Sequence, residues 1–596
     1  METTPVTAVN PSMTGFFGGT FSVALGPRGG ITMNRGSSAY GGVVSERLSR
    51  SFEAGHRVPA AARLASGISG AGASGPSNVN GAGAPQAPGG TDGNGGVKME
   101  RIMIGDLMKT SGVKFGTSGA RGEVKDMTDR VCFAYTVGFL QHLMQRMDLK
   151  EGDSVAVGGD LRPSTDRIMG AVGAAGDYLG LEVINLGKIP SPATALYGIE
   201  KGVPNIMVTG SHIPADRNGI KFNTAEGEIL KSDEAGIKEQ VIEIPTDIFD
   251  EGGMFVEGAV RELASVDNEA RDSFIRRYVG LFGPTALQGI RVGLYEHTAV
   301  GRDMLASVLG GLGAEVTRLG RSEEFIPVDT EAIREEDIEL AKNWSKEYGF
   351  DAIVSTDGDS DRPLVAGRDG EWLRGDVLGI LVAKFLGADS VAAPVSCNTA
   401  LEKSGLFEDV TRTKIGSPYV IQGMMDAVKK GFERVVSYEA NGGVLTMTDF
   451  EFEWGTLTAL PTRDSFIAII AALLSAKTQG KHVEELVAQL PPRFTASGSH
   501  KPFPTEKSKA ILAKFSTDDE AHNRARAEEV FGDIFGKVAS IDYTDGVRIT
   551  FESGNIVHLR PSGNSPEFRV YTEADSEDIA AENKGRTLEV MLGLAA

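Results

Sequence analysis

The sequence predicts an α/β fold that ends in an α+β segment, on three observations. From Lys98 onward, short β-branched runs alternate with amphipathic stretches in repeated strand–helix–strand order. Polar, Gly-rich loops follow the strands, where α/β proteins carry their chemistry. The last ~100 residues read instead as strands followed by a helix.

Taken in order, 155–157 is a strand that runs into Gly158-Gly159-Asp160, 181–185 a strand, 193–200 a helix and 205–209 a further strand before a polar loop. Residues 290–295 read as a strand, 302–313 as a helix and 315–319 as the next strand. Residues 352–355 form a strand that opens on an Asp-rich loop, and 434–437 one that opens on Tyr438-Glu439-Ala440-Asn441. Apolar residues recur at helical spacing over 464–477. No short-period solenoid repeat is present.

The first 97 residues differ from the rest. They hold 21 of the 76 Gly, with Ala, Ser and Pro tracts and no persistent apolar period, so they read as a disordered extension. Their Arg-containing, acid-poor composition also fits an organelle-import segment. No secretory pattern is present, and the cytoplasm is the expected compartment.

The net charge of −21 makes nucleic acid and anionic membrane poor partners. The longest apolar stretch, 466–476, is shorter than the ~18 residues a membrane span needs. Two cysteines, Cys132 and Cys397, exclude a disulfide scaffold and a Cys-based zinc ribbon. An acidic chain can still bind an anion, but only through a local cluster of cations.

Four loops carry candidate chemistry. In Thr209-Gly210-Ser211-His212-Ile213-Pro214, Ser211 is a phosphate carrier, a nucleophile or a turn cap; no G-x-S-x-G elbow supports a hydrolase triad. In Asp357-Gly358-Asp359-Ser360-Asp361-Arg362, three carboxylates at i, i+2 and i+4 share one side of an extended segment. Such carboxylates repel unless a hard cation joins them, and Mg²⁺ leaves room for a phosphate oxygen. The EF-hand pattern fails, because Arg362 and Arg368 stand where Gly and Glu belong. A solvated acidic turn and an aspartyl-phosphate enzyme are the other readings of this loop.

Glu439 and Asn441 suit sugar hydroxyls, or simply mark a hairpin turn. Arg560-Pro561-Ser562-Gly563-Asn564, with Arg569 beyond, combines guanidinium donors with a flexible backbone and reads as a phosphate nest or a charged surface loop. Two further Gly-rich loops, around Arg121 and Arg162, lack P-loop spacing.

These motifs in this order resemble the α-D-phosphohexomutase superfamily, the phosphomannomutase/phosphoglucomutase group, from about Gly112 to Asp578. The stretches FGTSGARG, GGDLRPST, TGSHIPADRNGIK, DGDSDR, EWLRGD, TKIGSPYV, YEANGG and RPSGNSPEFRVYTEA carry the likeness. The resemblance implies four domains around a central cleft, three α/β and a C-terminal α+β, near 98–265, 266–372, 373–485 and 486–596. It implies reversible phosphate transfer between the C1 and C6 oxygens of a hexose, most nearly mannose and then glucose, through a 1,6-bisphosphate. By motif position, Ser211 is the phosphoserine; Asp357, Asp359 and Asp361 hold one Mg²⁺; Arg121 and Lys221 assist acid/base work. A lysine does so as a base when neighbouring cations lower its pKa. Arg362, Glu439 and Asn441 bind substrate, and Arg560, Ser562, Asn564 and Arg569 grip the phosphate that is not transferred.

The chain departs from the group at Ile213, where Asn is usual, at Asn441, where Ser is common, and at Ser417 and Gly443, where His is frequent. A phosphoglucosamine-type mutase, a Mg²⁺-dependent phosphohydrolase with Asp357 as nucleophile, and a non-catalytic phosphosugar-binding homologue are the alternatives.

Overall fold

A computed structural model describes residues 98–116, 119–561 and 567–595. The predicted extension 1–97, Ser562 and Asn564 therefore lie outside the described residues.

Three sheets repeat one topology. In the first, Ser154–Gly159 is flanked by parallel strands Glu182–Lys188 and Asn205–Val208, and the antiparallel Arg217–Thr224 follows. The second repeats this with Arg291–His297, Glu315–Arg321, Ala352–Thr356 and Pro363–Ala366. The third does so with Ser390–Pro394, Asp409–Thr413, Val435–Tyr438 and Val444–Thr446. The chain leaves the central strand in both directions, so the crevice beyond the C-terminal strand ends lies at a topological switch point, where such folds bind ligands. The turn from the third strand to the antiparallel fourth is the Ser211 loop in the first sheet, the Asp-rich loop in the second and the Glu439 loop in the third.

The third strands read as apolar runs without alternation because every residue in Asn205–Val208, Ala352–Thr356 and Val435–Tyr438 is buried. Helix Ser465–Gln479 is apolar all round and correspondingly buried through Ala476. Asp464 caps it by accepting from Phe466 N and Ile467 N, both at 3.1 Å.

The second and third sheets share one apolar core, and helix Ser191–Lys201 of the first sheet packs into it. The C-terminal part has a core of its own. It is a five-stranded antiparallel sheet, Phe494–His500, Phe568–Ala574, Ile556–Pro561, Val547–Phe551 and Val538–Asp542 in spatial order. This is the expected α+β segment, with one correction: helices Thr505–Ala513 and Glu520–Phe535 precede most of its strands, besides the terminal Glu577–Ala595. A second correction concerns the Gly-rich loop at Arg121. It is a hairpin, Lys114–Phe115 with Gly119–Glu123, and Arg121 lies on a strand.

Candidate active site

The Ser211 loop is held from beneath by a buried polar network. Asp160 accepts from Arg162 N at 3.0 Å, Thr165 Oγ1 at 2.6 Å and Thr209 Oγ1 at 2.7 Å, and Ser211 N donates back to Thr209 Oγ1 at 2.8 Å. Arg162, 2% exposed, donates to the carbonyls of Pro214, Arg217, Ser211 and Ile213. Its guanidinium thus braces the Ser211 loop from inside. Sequence reading did not identify Asp160, whose link to the Ser211 loop runs through Thr209, distant in the chain.

The Asp-rich loop is a tight turn rather than an extended segment. Ser360 N donates to Asp357 O at 3.1 Å, and Asp357 N to Arg362 O at 3.1 Å. Ser360 has a φ of 56°, and Ser211 in the equivalent loop has 55°, a left-handed conformation that non-glycine residues adopt at a cost of about 1–3 kcal/mol. The turn brings the carboxylates together more tightly than pleat alternation would: one oxygen from each of Asp357, Asp359 and Asp361 falls within 4.8 Å of the others. All three are buried, so the loop is not a solvated acidic turn.

The two loops meet. Ser211 Oγ donates to Asp357 Oδ2 at 2.6 Å, and Ser191 of the first sheet donates to Asp359 through both N, at 3.0 Å to the backbone oxygen, and Oγ, at 2.6 Å to Oδ2. Lys221 Nζ donates to Asp359 at 2.6 Å and Asp361 at 2.8 Å. Asp359 Oδ1 and Asp361 Oδ1 are buried and have no hydrogen-bond partner among the described residues. Orphaned carboxylate oxygens around a common point are what a hard divalent cation satisfies, so these residues fit the Mg²⁺ that the resemblance implies.

Charge sets the protonation here. Burial, with Asp359 and Asp361 alongside, pushes Asp357 well above the usual carboxylate range. Burial also acts to raise Asp359, but Lys221, Ser191 and Arg362 outweigh it and hold it well below that range. For Lys221, burial pulls down while Asp359 and Asp361 pull up and win, so its pKa stands above the ordinary lysine value. The lowering that a lysine base requires is absent in this arrangement. Burial and the neighbouring Arg362 and Arg463 bring Arg121 down to about 10, still a cation at neutral pH. His212 Nδ1 lies 3.3 Å from Ser211 Oγ, and burial with Arg362 and Arg121 nearby keeps its imidazole neutral.

The third loop is a hairpin turn: Glu439 N donates to Gly443 O at 3.1 Å and Gly442 N to Glu439 O at 2.9 Å. Both Glu439 and Asn441 are buried. Asn441 Oδ1 accepts from Gly443 N at 2.9 Å, and its carbonyl accepts from Thr330. Glu439 is paired with Arg463, whose Nε donates to it at 2.5 Å. Ser417 donates to Glu228 at 2.6 Å. Nothing local in Thr462-Arg463-Asp464 or Gly227-Glu228 signals a site, and sequence reading missed both Arg463 and Glu228.

The C-terminal cations are only partly drawn to this centre. Arg560 Nε lies 3.0 Å from Asp545, which also accepts at 3.0 Å from Ile415 N, in the loop after strand Asp409–Thr413. Arg569 lies 3.4 Å from Glu567. Burial and Asp329 push Glu331 above the usual carboxylate range, against Arg362, Arg569 and Arg374.

Residues 112–247 match phosphoglucomutase/phosphomannomutase alpha/beta/alpha domain I, 374–494 match domain III and 506–590 the C-terminal domain. A phosphomannomutase of Sinorhizobium fredii is 42% identical over 480 residues, 80% of this chain and 99% of that protein. One from Salmonella muenchen is 42% identical over 475 residues, 80% and 95% respectively. Among solved structures, a phosphoglucomutase/phosphomannomutase family protein from Burkholderia thailandensis superposes with a TM-score of 0.58 at 19% identity, covering 80% of this chain and 96% of that one. The N-acetylphosphoglucosamine mutase of Aspergillus fumigatus, solved with GlcNAc-6P and magnesium, gives 0.52 at 13%, covering 83% and 99%. With a conserved-length relative at 42% identity and three matching domains, the chain belongs to the phosphoglucomutase/phosphomannomutase family of phosphohexomutases.

Proposed function

We propose that this phosphohexomutase interconverts mannose 1-phosphate and mannose 6-phosphate, and accepts glucose phosphates less well. The 42% identity to two phosphomannomutases over nearly their whole length supports the substrate. The observation that carries the mechanism is Ser211 Oγ at 2.6 Å from Asp357, one of three clustered buried carboxylates.

Ser211 enters the cycle as phosphoserine. Its Oγ–P bond breaks as a new O–P bond forms to the free C1 or C6 hydroxyl, and that hydroxyl's proton ends, net, on the departing Ser211 Oγ. The hexose 1,6-bisphosphate turns over, and its other phosphate returns to Ser211. Asp357, Asp359 and Asp361 would hold one Mg²⁺, which when bound neutralises charge on the transferring group. Lys221 and Arg121, both cationic here, stabilise the equatorial oxygens, and Arg362 assists from the same loop.

Glu439 and Asn441 read the hydroxyls. Arg560 and Arg569, with Ser562 and Asn564, hold the other phosphate. In this reading the domains 98–265, 266–372, 373–485 and 486–596 each lend one loop. The phosphosugar is the expected small-molecule partner, and the cytoplasm the working compartment. No described helix is long and apolar enough to cross a membrane.

Replacing Ser211 by Ala tests the cycle. Interconversion falls to background, and the phosphate mass that the wild-type protein gains from hexose 1,6-bisphosphate is no longer acquired. Full turnover by Ser211→Ala would sink the phosphoserine assignment. Steady phosphate release insensitive to that change would instead favour the phosphohydrolase.

A further inference from the structure

Arg463 precedes the cap of helix Ser465–Gln479 and meets the site from the third sheet's side. Its Nε donates to Glu439 Oε2 at 2.5 Å, its Nη1 lies 3.6 Å from Asp361 Oδ2 and 3.8 Å from Glu228 Oε1. One guanidinium thus faces the hydroxyl-reading loop, the carboxylate triad and the first sheet's antiparallel edge. Its side chain is 7% exposed.

An arginine has five N–H donors, and among the described residues only Nε has a hydrogen-bond partner; the carboxylates nearest Nη1 stand beyond hydrogen-bond reach. The Nη atoms are not sealed from solvent, so a ligand can reach them and take the place of the water they otherwise bind. A neutral sugar hydroxyl beside the one that Glu439 accepts supplies a partner without adding another charge.

The glycine opposite makes the arrangement specific. A Cβ on Gly443 would fall 2.5 Å from Arg463 Cδ and 2.8 Å from its Cγ. The Arg463 stem therefore fills the space that a side chain at 443 would occupy, and the two positions act as one steric unit. A cation reaches the hydroxyl-reading loop from the segment before the helix cap, not from the hairpin.

We propose that Arg463 is a specificity-determining residue of the hexose site: it fixes the Glu439 carboxylate as acceptor and presents its own Nη groups as donors to the adjacent hydroxyl. The inference rests on the mutase reading above and adds to it an acceptor–donor pair that distinguishes hexose epimers. A lysine has no Nε–H and no fork, so it cannot hold Glu439 and present a second donor in one plane.

The test is kcat and KM for mannose 1-phosphate and glucose 1-phosphate in wild type, Arg463→Ala, Arg463→Lys, Gly443→Ala and Gly443→Ala/Arg463→Ala, with calorimetric binding of mannose 1-phosphate. Arg463→Ala lowers kcat/KM for the preferred epimer by about 10²-fold, the scale of a misplaced substrate-positioning group. Much of the loss lies in KM, and the ratio between epimers moves toward unity. Arg463→Lys recovers part of kcat but not the ratio. Gly443→Ala mimics Arg463→Ala and adds nothing in the Arg463→Ala background.

Equal losses for both epimers with a lowered unfolding midpoint would make Arg463 merely structural and overturn the proposal. So would additive effects of the two substitutions. If wild type binds mannose 1-phosphate without turnover, the mutase reading fails, while affinity loss in Arg463→Ala still supports this inference. If wild type does not bind it, both fail.

Discussion

His558 shows how one buried group couples protonation to folding. It lies in strand Ile556–Pro561, 1% exposed, with Nε2 2.5 Å from Asp545 O and its ring stacked on Tyr571. Burial brings its pKa from 6.5 down to about 4, against the opposing hydrogen bond to Asp545. Between those values the unfolded chain binds the proton and the folded chain does not. The histidine's contribution is therefore complete above about pH 6.5 and is lost as pH falls toward 4, by at most about 1.4 kcal/mol per pH unit. Other groups titrate in the same window, so the clean measurement is a difference. The urea-derived stability of wild type minus that of His558→Gln should rise from pH 4 to 6.5 and level off above. A difference that is flat across this window would show that His558 is protonated in the folded protein. The same residue neighbours Asp545, which joins Arg560 to the loop after strand Asp409–Thr413, so the pH term belongs to the part that carries the C-terminal cations.

At the scale of elements, what sequence alone reveals follows burial. The third strands of the first three sheets are enclosed on both faces, so their apolar runs stand out, and the loops that follow them were located correctly. The hairpin around Arg121 was read as a loop because Gly119 and Gly122 interrupt any alternation, and its pairing with Arg217–Thr224 is between distant segments. Arg463 was illegible for a related reason: its meaning depends on the absent side chain of Gly443, twenty residues away in sequence and in van der Waals contact in space. Close approach of another kind fixes helix Gly375–Leu386 on strand Val435–Tyr438. A Cβ on Gly379 would lie 2.3 Å from Tyr438 Cγ and 2.8 Å from its Cβ. The Tyr438 ring is fully buried and has no room to retreat. Gly→Ala gains about 1 kcal/mol of helix propensity, but overpacking a core costs about 1–3 kcal/mol. Gly379→Val loses most of that propensity gain and adds more volume, so it should lower the unfolding free energy by at least about 2 kcal/mol. It should also impair turnover, because Glu439 directly follows the displaced tyrosine. An unchanged urea midpoint would mean that the helix shifts freely on the strand.

Across the whole molecule, three equivalent loops converge on a nearly balanced charge cluster within a chain of net −21. Asp357, Asp359, Asp361, Glu228 and Glu439 stand against Arg121, Lys221, Arg362 and Arg463, one carboxylate in excess if all are ionised. Phosphorylation of Ser211 would add about −1.5 to −2, a burden that these four cations, three of them already paired with carboxylates, do not offset. A divalent cation on the Asp triad reverses the sign of the unphosphorylated cluster and nearly cancels the phosphorylated one. It would also tie the first sheet to the second, because Ser211 and Lys221 approach the triad from the other sheet. Mg²⁺ should therefore stabilise the folded protein as well as activate it. At one hundred times its Kd the gain is about 2.7 kcal/mol, readable as a concentration-dependent rise in Tm. The phosphorylated protein should reach half of that rise at lower Mg²⁺ than the Ser211→Ala variant. In Asp359→Asn the rise should vanish, since that substitution removes a carboxylate while keeping the side chain's size. An equal rise in Asp359→Asn would mean that Mg²⁺ acts through the general acidic surface, and the triad would lose its claim to the ion.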